Sequence, residues 1–440
     1  MSTWTDRALH TLREAMAGQV PPVEFLPAEP GGEPRWIQRP DVLRTHNQAV
    51  GSLQWQADPG TQAQMTHRSD SEAANPAAAE HPAVVVRTSG STGTPKQTLL
   101  SAAALHASAQ MTAEYLSRRG LGGHGQWLLT LQPSYVAGLA VLSRSIVAQT
   151  QPVALLENTT DPETFAAAAE QLTAEHRYVS LVPTQLKRLL DHAAGNDDAR
   201  LLAALQRFDA ILLGGGASST ELIGAAESAG LHVVRTYGMS ETCGGCVYDG
   251  IPLPGTEVEL DDDGRVLLSG PQVALGYLDE QLSVERFDTD ASGQRRFRTD
   301  DLGVLTDGVL SITGRIDDVI NTGGVKVSAE KIRQVLETDP KVNEAFVAGI
   351  QDADWGQQVA AVVALKDWPE GDFAPLPADG ASEAPSYPPA GWWRDLSAEI
   401  RQQLGPAAVP KSIHYVKDFP RLSSGKPDRQ AMIRMLSRAD

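Results

Sequence analysis

The chain has 440 residues, and 37 Lys and Arg against 55 Asp and Glu leave a formal charge of −18 at neutral pH. That length suggests two to four domains of roughly 100–200 residues, and the acidic balance lacks the basic footprint that a nucleic acid or an anionic membrane surface requires. Its 2 cysteines cannot build a disulfide framework, so a soluble protein of the reducing cytoplasm is expected.

Met1 to Gly18 carries Asp6, Arg7, Arg13 and Glu14 and shows no apolar core of a signal peptide. Gln56 to Pro82, rich in Ala, Gln, Ser, Asp and Pro, reads as a linker or long surface loop. Ala83 to Val86 is a short apolar run, a buried strand, which leads through a Gly/Ser/Thr loop into Gln97 to Leu100. Ser101 caps a helix running to Arg119, and Gly120 stops it. Val136 to Val147 is the longest apolar candidate for a membrane span, and Arg144 interrupts it. Tyr178 to Val182 is strand-like and ends at Pro183, and Thr184 to Ala194 follows as a helix with Leu186, Leu189 and Leu190 on one face. Ala210 to Leu213 reads as a strand, Gly214 to Gly216 as a turn, Ser219 to Ala229 as a helix and Leu231 to Val234 as a strand. Strands alternating with helices predict an α/β fold with mixed or parallel sheets. Beyond Arg315 come a capped helix (Ser328 to Leu336), two strands (Val342 to Ile350, Val359 to Leu365) and a helix (Trp393 to Leu404). This divides the chain into a large α/β domain, residues 1–315, and a small α+β domain, residues 316–440. Asp367 to Ala390 is Pro/Ala/Gly-rich without a period and reads as a loop insertion.

The loop Thr88-Ser-Gly-Ser-Thr-Gly-Thr-Pro-Lys96 has the composition of a phosphate cradle. Glycines admit an anion close to consecutive backbone N–H groups; Ser89, Ser91, Thr92 and Thr94 add hydroxyls, and Lys96 adds charge. It is not a Walker A loop, because Pro95 precedes Lys96 and Gln97 follows it. A flexible hairpin turn is the plain alternative for a generic Gly/Ser run. Glu241 in Tyr237-Gly-Met-Ser-Glu-Thr242 follows a β–turn–α–β unit, where ligands collect at the mouth of a parallel sheet. A hard cation bridging phosphates wants such an oxygen ligand; a solvated surface carboxylate is the alternative. Cys243 and Cys246 have C-x-x-C spacing but no two further zinc ligands nearby, so they read as small residues packed beside the nucleotide loop. Neither an H-E-x-x-H nor a G-x-S-x-G pattern occurs.

The nine-residue loop resembles the phosphate loop of the adenylate-forming superfamily, which includes acyl-CoA synthetases, luciferases and adenylation domains. Four further motifs follow in that superfamily's order. The resemblance implies that Thr88, Ser89, Gly90, Ser91, Thr92, Gly93 and Lys96 hold phosphates. It implies that Tyr237 lies against adenine, with Gly238, Met239, Ser240, Gly215 and Gly216 completing the nucleotide site, and that Glu241 helps to hold Mg²⁺. In Phe297-Arg-Thr-Asp-Asp-Leu-Gly303 it assigns the ribose to Asp301, although Asp300 stands where the superfamily has Gly. A second carboxylate there could raise the pKa of the first or take over its work. Arg315 contacts the nucleotide, Asp317 is the hinge, and Gly323 and Gly324 border the coenzyme A channel; Asp318 reads as part of a solvated acidic turn. Lys426, in Pro420-Arg-Leu-Ser-Ser-Gly-Lys426, swings into the site, which makes the C-terminal domain a mobile lid. ATP and coenzyme A are then the co-substrates.

Within the superfamily, Ala137-Gly-Leu-Ala-Val-Leu-Ser-Arg-Ser145, Ser180-Leu-Val-Pro-Thr-Gln-Leu-Lys-Arg-Leu-Leu190, Leu212-Leu-Gly-Gly-Gly216 and Arg235 to Gly250 are similar to the o-succinylbenzoate–CoA ligase family of menaquinone biosynthesis. That resemblance implies an aromatic keto acid with a second carboxylate. Arg188 is its expected clamp, with Gln185 three residues away on the same helical face. Gly214 flanks the ring, and Tyr135 takes a position where that family has His. A ligase for another aryl or fatty acid, and a non-catalytic nucleotide-binding protein on the same fold, are the alternatives. A homo-oligomer stays open.

Overall fold

The computed structural model describes residues 3–29, 32–43, 53–55, 65–67, 81–88, 96–366, 390–421 and 427–437. Its central element is a seven-stranded sheet in the order Ile251–Pro252, Gly244–Tyr248, Val233–Met239, Ala210–Leu213, Arg177–Leu181, Gln126–Leu129, Val153–Ala154. The pairs from Val233–Met239 to Val153–Ala154 are parallel. The reason lies in the period of two: Trp127, Leu129, Tyr178 and Leu212 face one apolar cluster, while Leu128, Val179, Ile211 and Leu213 face another. Strands apolar on both sides need helices on both faces. Those helices include Ala102–Arg118, Val136–Ala148, Pro183–Gly195 and Thr220–Ser228.

A second, mixed sheet runs Gly276–Tyr277, Lys96–Ser101, Pro82–Thr88, Val23–Leu26, Arg35–Gln38. It brings Thr88 and Lys96 together as cross-strand partners at the two ends of the Gly/Ser/Thr loop. The third sheet is antiparallel and contains Arg295–Thr306, which pairs with Val309–Arg315. One 3₁₀ turn, Ile316–Asp318, then leads into a fourth sheet of Val325–Ser328, Val319–Thr322, Gly356–Leu365, Val342–Asp352 and Ser412–Val416. There the alternation is again two-sided: Val359, Ala361, Val363 and Leu365 face one core, and Ala360, Val362 and Ala364 face the other.

Helix ends follow local chemistry. Ser101, Ser219 and Ser328 each accept an N–H from the first turn of the helix they precede. Other expectations need correction. Trp4–Met16 is a helix whose Thr3–Asp6 capping box was readable in the sequence. The stretch read as a linker contains a strand, Met65–His67, paired with Leu53–Trp55. The strand expected to end at Val234 continues to Met239, because Gly244–Tyr248 folds back and pairs with it. The insertion expected at 367–390 lies outside the described residues, except that Ala390 opens the helix Ala390–Leu404. Among the described residues no helix is long and apolar enough to cross a membrane; the apolar run at Val136 is instead packed in the core around Arg144.

Candidate active site

A cavity of about 490 Å³ is lined by residues of the first three sheets, by the helices Val136–Ala148 and Pro183–Gly195, and by Arg421, which follows the last strand of the fourth sheet. Of the expected site residues, Thr88, Lys96, Tyr135, Gln185, Arg188, Gly214, Gly215, Gly238, Met239, Ser240, Glu241, Asp301 and Arg315 line it. Ser89 to Gly93 and Lys426 lie outside the described residues. Gly216, Tyr237, Asp317, Gly323 and Gly324 do not line this cavity.

The strand Val233–Met239 ends in a tight return. A Cβ on Gly238 would lie 2.0 Å from the Gly244 carbonyl oxygen, so a side chain there would part the two strands. The following 3₁₀ turn, Ser240–Thr242, buries Glu241 to 7% exposure. A buried carboxylate requires a donor, and Tyr277 supplies it, its hydroxyl donating to Glu241 Oε1 at 2.6 Å. Burial, followed by the Glu241 charge, pushes the Tyr277 phenol far up, so it stands as a donor at any ordinary pH. Lys96 Nζ lies 5.6 Å from the centroid of the same ring, within reach of a cation–π interaction.

Asp301 is 8% exposed. The Tyr237 hydroxyl donates to its Oδ2 at 2.6 Å, and Arg315 Nη1 donates to its Oδ1 at 3.0 Å. Burial raises the Asp301 carboxyl above its ordinary pKa despite the opposing pull of Tyr237 and Arg315. The nearby charge of Asp300 is a smaller contribution. Asp300 has its own partners: it pairs with Arg286, and Arg265 Nη1 and Arg315 Nη2 lie 3.9 and 3.7 Å from it. The extra carboxylate is thus paired with arginines, and what remains of its charge adds a small upward push on Asp301. Arg315 also forks onto Asp317, with Nε–Oδ1 at 2.8 Å and Nη2–Oδ2 at 3.2 Å. Burial pushes the Asp317 carboxyl up, but that fork outweighs it and holds the group below the usual range.

On the acid side the expectations divide. Tyr135, Gly214 and Arg188 line the cavity, and Arg188 is exposed. Gln185 lines it too, but its amide is engaged: Val182 N–H donates to Oε1 at 3.0 Å, and Nε2 donates to Thr159 Oγ1 at 2.9 Å. It serves the start of its helix, where Val182 has no capping side chain. Arg144, missed as a site residue, also lines the cavity. Its signals in the sequence were a charge inside an apolar run and a place in the string Ala137 to Ser145.

Asp318 is not a solvated turn residue; it pairs with Arg429, the first residue of the helix Arg429–Leu436. Gly323 and Gly324, with φ of +58° and +81°, turn the hairpin between Val319–Thr322 and Val325–Ser328. Gly323 is further constrained by Trp355, whose ring a Cβ would approach to 2.4 Å. Cys243 and Cys246 are both buried and form no disulfide, and burial pushes the Cys246 thiol up to about 12, as suits packing rather than thiolate chemistry. Among the described residues no cluster of three or more His, Cys, Asp or Glu could hold a metal by itself.

Residues 33–278 match the AMP-binding enzyme family, and residues 331–426 match the AMP-binding enzyme C-terminal domain. The chain is 39% identical over 356 residues to the probable 2-succinylbenzoate–CoA ligase of Mycobacterium tuberculosis (strain H37Rv), covering 80% of this chain and 84% of that relative. Among solved structures it is similar to the o-succinylbenzoate CoA synthetase of Bacillus subtilis in complex with the acyl-adenylate intermediate OSB-AMP. That match has a TM-score of 0.61 and 24% identity, over 80% of this chain and 69% of that one. The same synthetase in complex with ATP and a magnesium ion matches with a TM-score of 0.61 and 24% identity, over 80% and 70% of the two chains. At that identity the two structures bear on the fold.

Proposed function

The chain belongs to the AMP-binding enzyme family, and on that premise we propose that it ligates 2-succinylbenzoate to coenzyme A through an acyl-adenylate, converting ATP to AMP and pyrophosphate. The observation that carries this reading is the continuity of one cavity, in which Lys96, Glu241, Asp301 and Arg315 share a wall system with Tyr135, Gly214 and Arg188. In the first half-reaction the acid's carboxylate attacks the α-phosphorus and pyrophosphate leaves. In the second the thiol attacks the acyl carbonyl and AMP leaves.

Asp301 would accept the ribose hydroxyls, a reading supported by Tyr237 and Arg315, which hold its orientation. Thr88 and Lys96 frame the phosphate loop, with Ser89, Gly90, Ser91, Thr92 and Gly93 between them. Glu241 fits a Mg²⁺ carried in on the phosphates: one oxygen accepts from Tyr277, and the other has no partner among the described residues. That ion would neutralise phosphate charge as it builds. Lys426 is assigned the cation that bridges carboxylate and phosphate in the first half-reaction. Rotation about Asp317 would then exchange it for Gly323 and Gly324, which border the thiol's path. The placement of Arg421 on the cavity supports this order, because it lies five residues before Lys426 while the two glycines stand away. The division at residue 315, the cytoplasm as the place of reaction and the small molecules as partners belong to the same proposal.

Substrate-dependent exchange between ATP and pyrophosphate, across a panel of acids, tests it. Exchange should be strong with 2-succinylbenzoate and weak with benzoate or a long-chain acid, and added coenzyme A should yield the thioester. Exchange with the long-chain acid alone would favour a different ligase. No exchange with any acid would favour a nucleotide-binding protein without catalysis.

A further inference from the structure

Glu24 is 1% exposed, and two arginines converge on its carboxylate. Arg39 Nη1 donates to Oε2 and Arg87 Nε to Oε1, while Arg87 Nη2 lies 3.4 Å from Oε2. Arg39 Nη1 also donates to Gln97 Oε1 at 3.0 Å. The rest of its guanidinium forks onto Asp41, with Nε–Oδ1 at 3.0 Å and Nη2–Oδ2 at 2.7 Å. Two guanidinia and two carboxylates therefore share one cluster without net charge. Such a cluster is a poor way to gain stability, because well-packed apolar residues of similar volume often do as well or better. Its position supplies another reason for it.

Arg87 and Gln97 are cross-strand partners, and the next pair outward is Thr88 and Lys96, where the phosphate loop begins and ends. Side chains alternate between the faces of a strand. Val84, Val86 and Leu100 face the main core, and Val85 and Leu99 face a smaller one. By the same alternation Thr88 and Lys96 share the first face, where Lys96 Nζ lies 5.6 Å from the centroid of the Tyr277 ring. Arg87 and Gln97 share the second. Val23 and Phe25 face the main core, so Glu24 between them is on the second face too. One buried carboxylate thus grips both legs of the loop from behind, Arg87 directly and Gln97 through Arg39.

We propose that Glu24 is a positioning residue for the first half-reaction, fixing through Arg87 and Arg39 the spacing at which Thr88 and Lys96 meet the phosphates; this rests on the adenylate-forming reading above. The outer two phosphates leave as pyrophosphate in that half-reaction and are absent from the second, so the first alone depends on the spacing. A displacement of about 1 Å at the reacting groups costs on the order of 10²-fold in rate. Because the cluster is neutral, its action is one of geometry and not of charge.

Glu24→Gln tests this, since it keeps the shape of the side chain and removes the charge that both arginines share. In ATP–pyrophosphate exchange with 2-succinylbenzoate, kcat/KM for ATP should fall on the order of 10- to 100-fold. Thioester formation from pre-made acyl-adenylate and coenzyme A should stay within about threefold, and KM for the acid within about twofold. Equal loss in the two half-reactions overturns the proposal, because a general loosening of the fold would produce that. The variant also leaves two arginines against one carboxylate behind the loop. If ATP then binds more tightly, Glu24 controls charge and not spacing, and the proposal fails. Gln97→Leu cuts one leg and leaves every carboxylate of the cluster paired, so it decides if Glu24→Gln does not fold. It should show the same split between half-reactions at smaller size; an unchanged exchange rate, or equal loss in both halves, overturns the proposal. A wild type that shows no exchange with any acid defeats the adenylate-forming reading, and the assignment falls with it. A wild type that exchanges, matched by a folded Glu24→Gln variant, sinks the assignment alone.

Discussion

The charged residues around the cavity fall into two groups in opposite states. On the nucleotide side every carboxylate is already answered: Asp301 by Tyr237 and Arg315, Glu241 by Tyr277, Asp300 by Arg286, and Asp317 by Arg315. On the acid side Arg144 and Arg188 have no carboxylate partner among the described residues. A preformed network costs little to reorganise when a large polar ligand arrives, and it fixes groups for the transition state. An unanswered buried cation does something else. It would favour a ligand that brings the matching anion, because one without it leaves the cation desolvated and alone. One cavity thus combines a side whose charges are paired with a side whose cations have no carboxylate partner among the described residues.

The largest effect should come from breaking the network at its centre. Asp301→Asn removes the charge shared by Tyr237 and Arg315. Loss of a hydrogen bond to a charged group is worth about 1.5–3 kcal/mol, so affinity for ATP should fall on the order of 10- to 100-fold, with KM for the acid little changed. Calorimetric titration with ATP measures it. The pH dependence has a defined sign. Because burial raises the Asp301 carboxyl above 3.8, it protonates first on acidification, and ATP affinity should decline as pH falls through that raised value. Asp317, held below 3.8 against its own burial by Arg315, stays charged to lower pH. For stability the signs oppose. The Asp301 contribution is present at low pH and lost as pH rises through its raised value; the Asp317 contribution is present at neutral pH and lost as pH falls through its lowered one. An Asp301→Asn protein with unchanged ATP affinity and an unchanged pH profile would erase the distinction between the two sides.

A smaller effect is expected one bond further out. Tyr277→Phe keeps the ring, its edge contact with Phe287 and its place beside Lys96, and removes the hydroxyl that Glu241 accepts from. A buried carboxylate short of one donor should lower unfolding free energy by about 1–3 kcal/mol, read from the urea midpoint. The half-saturating Mg²⁺ concentration should move while KM for the acid stays within about twofold. An acid KM that moved instead would place Tyr277 on the wrong side of the comparison.

The two sides were also unequally legible in the sequence. The nucleotide residues sit in contiguous strings, and the helix caps Ser101, Ser219 and Ser328 act within one turn, so short spacing carries their information. What joins the strings is long-range. Tyr277 meets Glu241 across 36 residues, Arg429 meets Asp318 across 111, and Arg286 meets Asp300 only because a strand folds back between them. No local pattern records such pairings. Arg144 shows the limit most clearly. In the sequence it reads as a flaw in an apolar helix, and only the packing of Trp127, Tyr248 and two alanines around it turns the flaw into a feature of the cavity.

The smallest predicted effect concerns the residue whose sequence reading and structural place diverge. Gln185 was expected to face the acid, three residues from Arg188 on one helical face. Its amide oxygen instead takes the Val182 N–H, and its amide nitrogen reaches Thr159. Pro183 opens this helix, and Val182 offers no oxygen, so Gln185 supplies the reciprocal half of a capping box by itself. Gln185→Ala should therefore lower unfolding free energy by about 0.5–2 kcal/mol, the range for loss of a helix cap, and change KM for the acid by less than about threefold. Gln185→Glu, which keeps an acceptor for the Val182 N–H, should restore most of that stability. A large rise in acid KM with stability intact would show that the helical spacing had pointed to the right role after all, because a capping residue can be lost from a helix without disturbing a ligand only when the ligand does not depend on it.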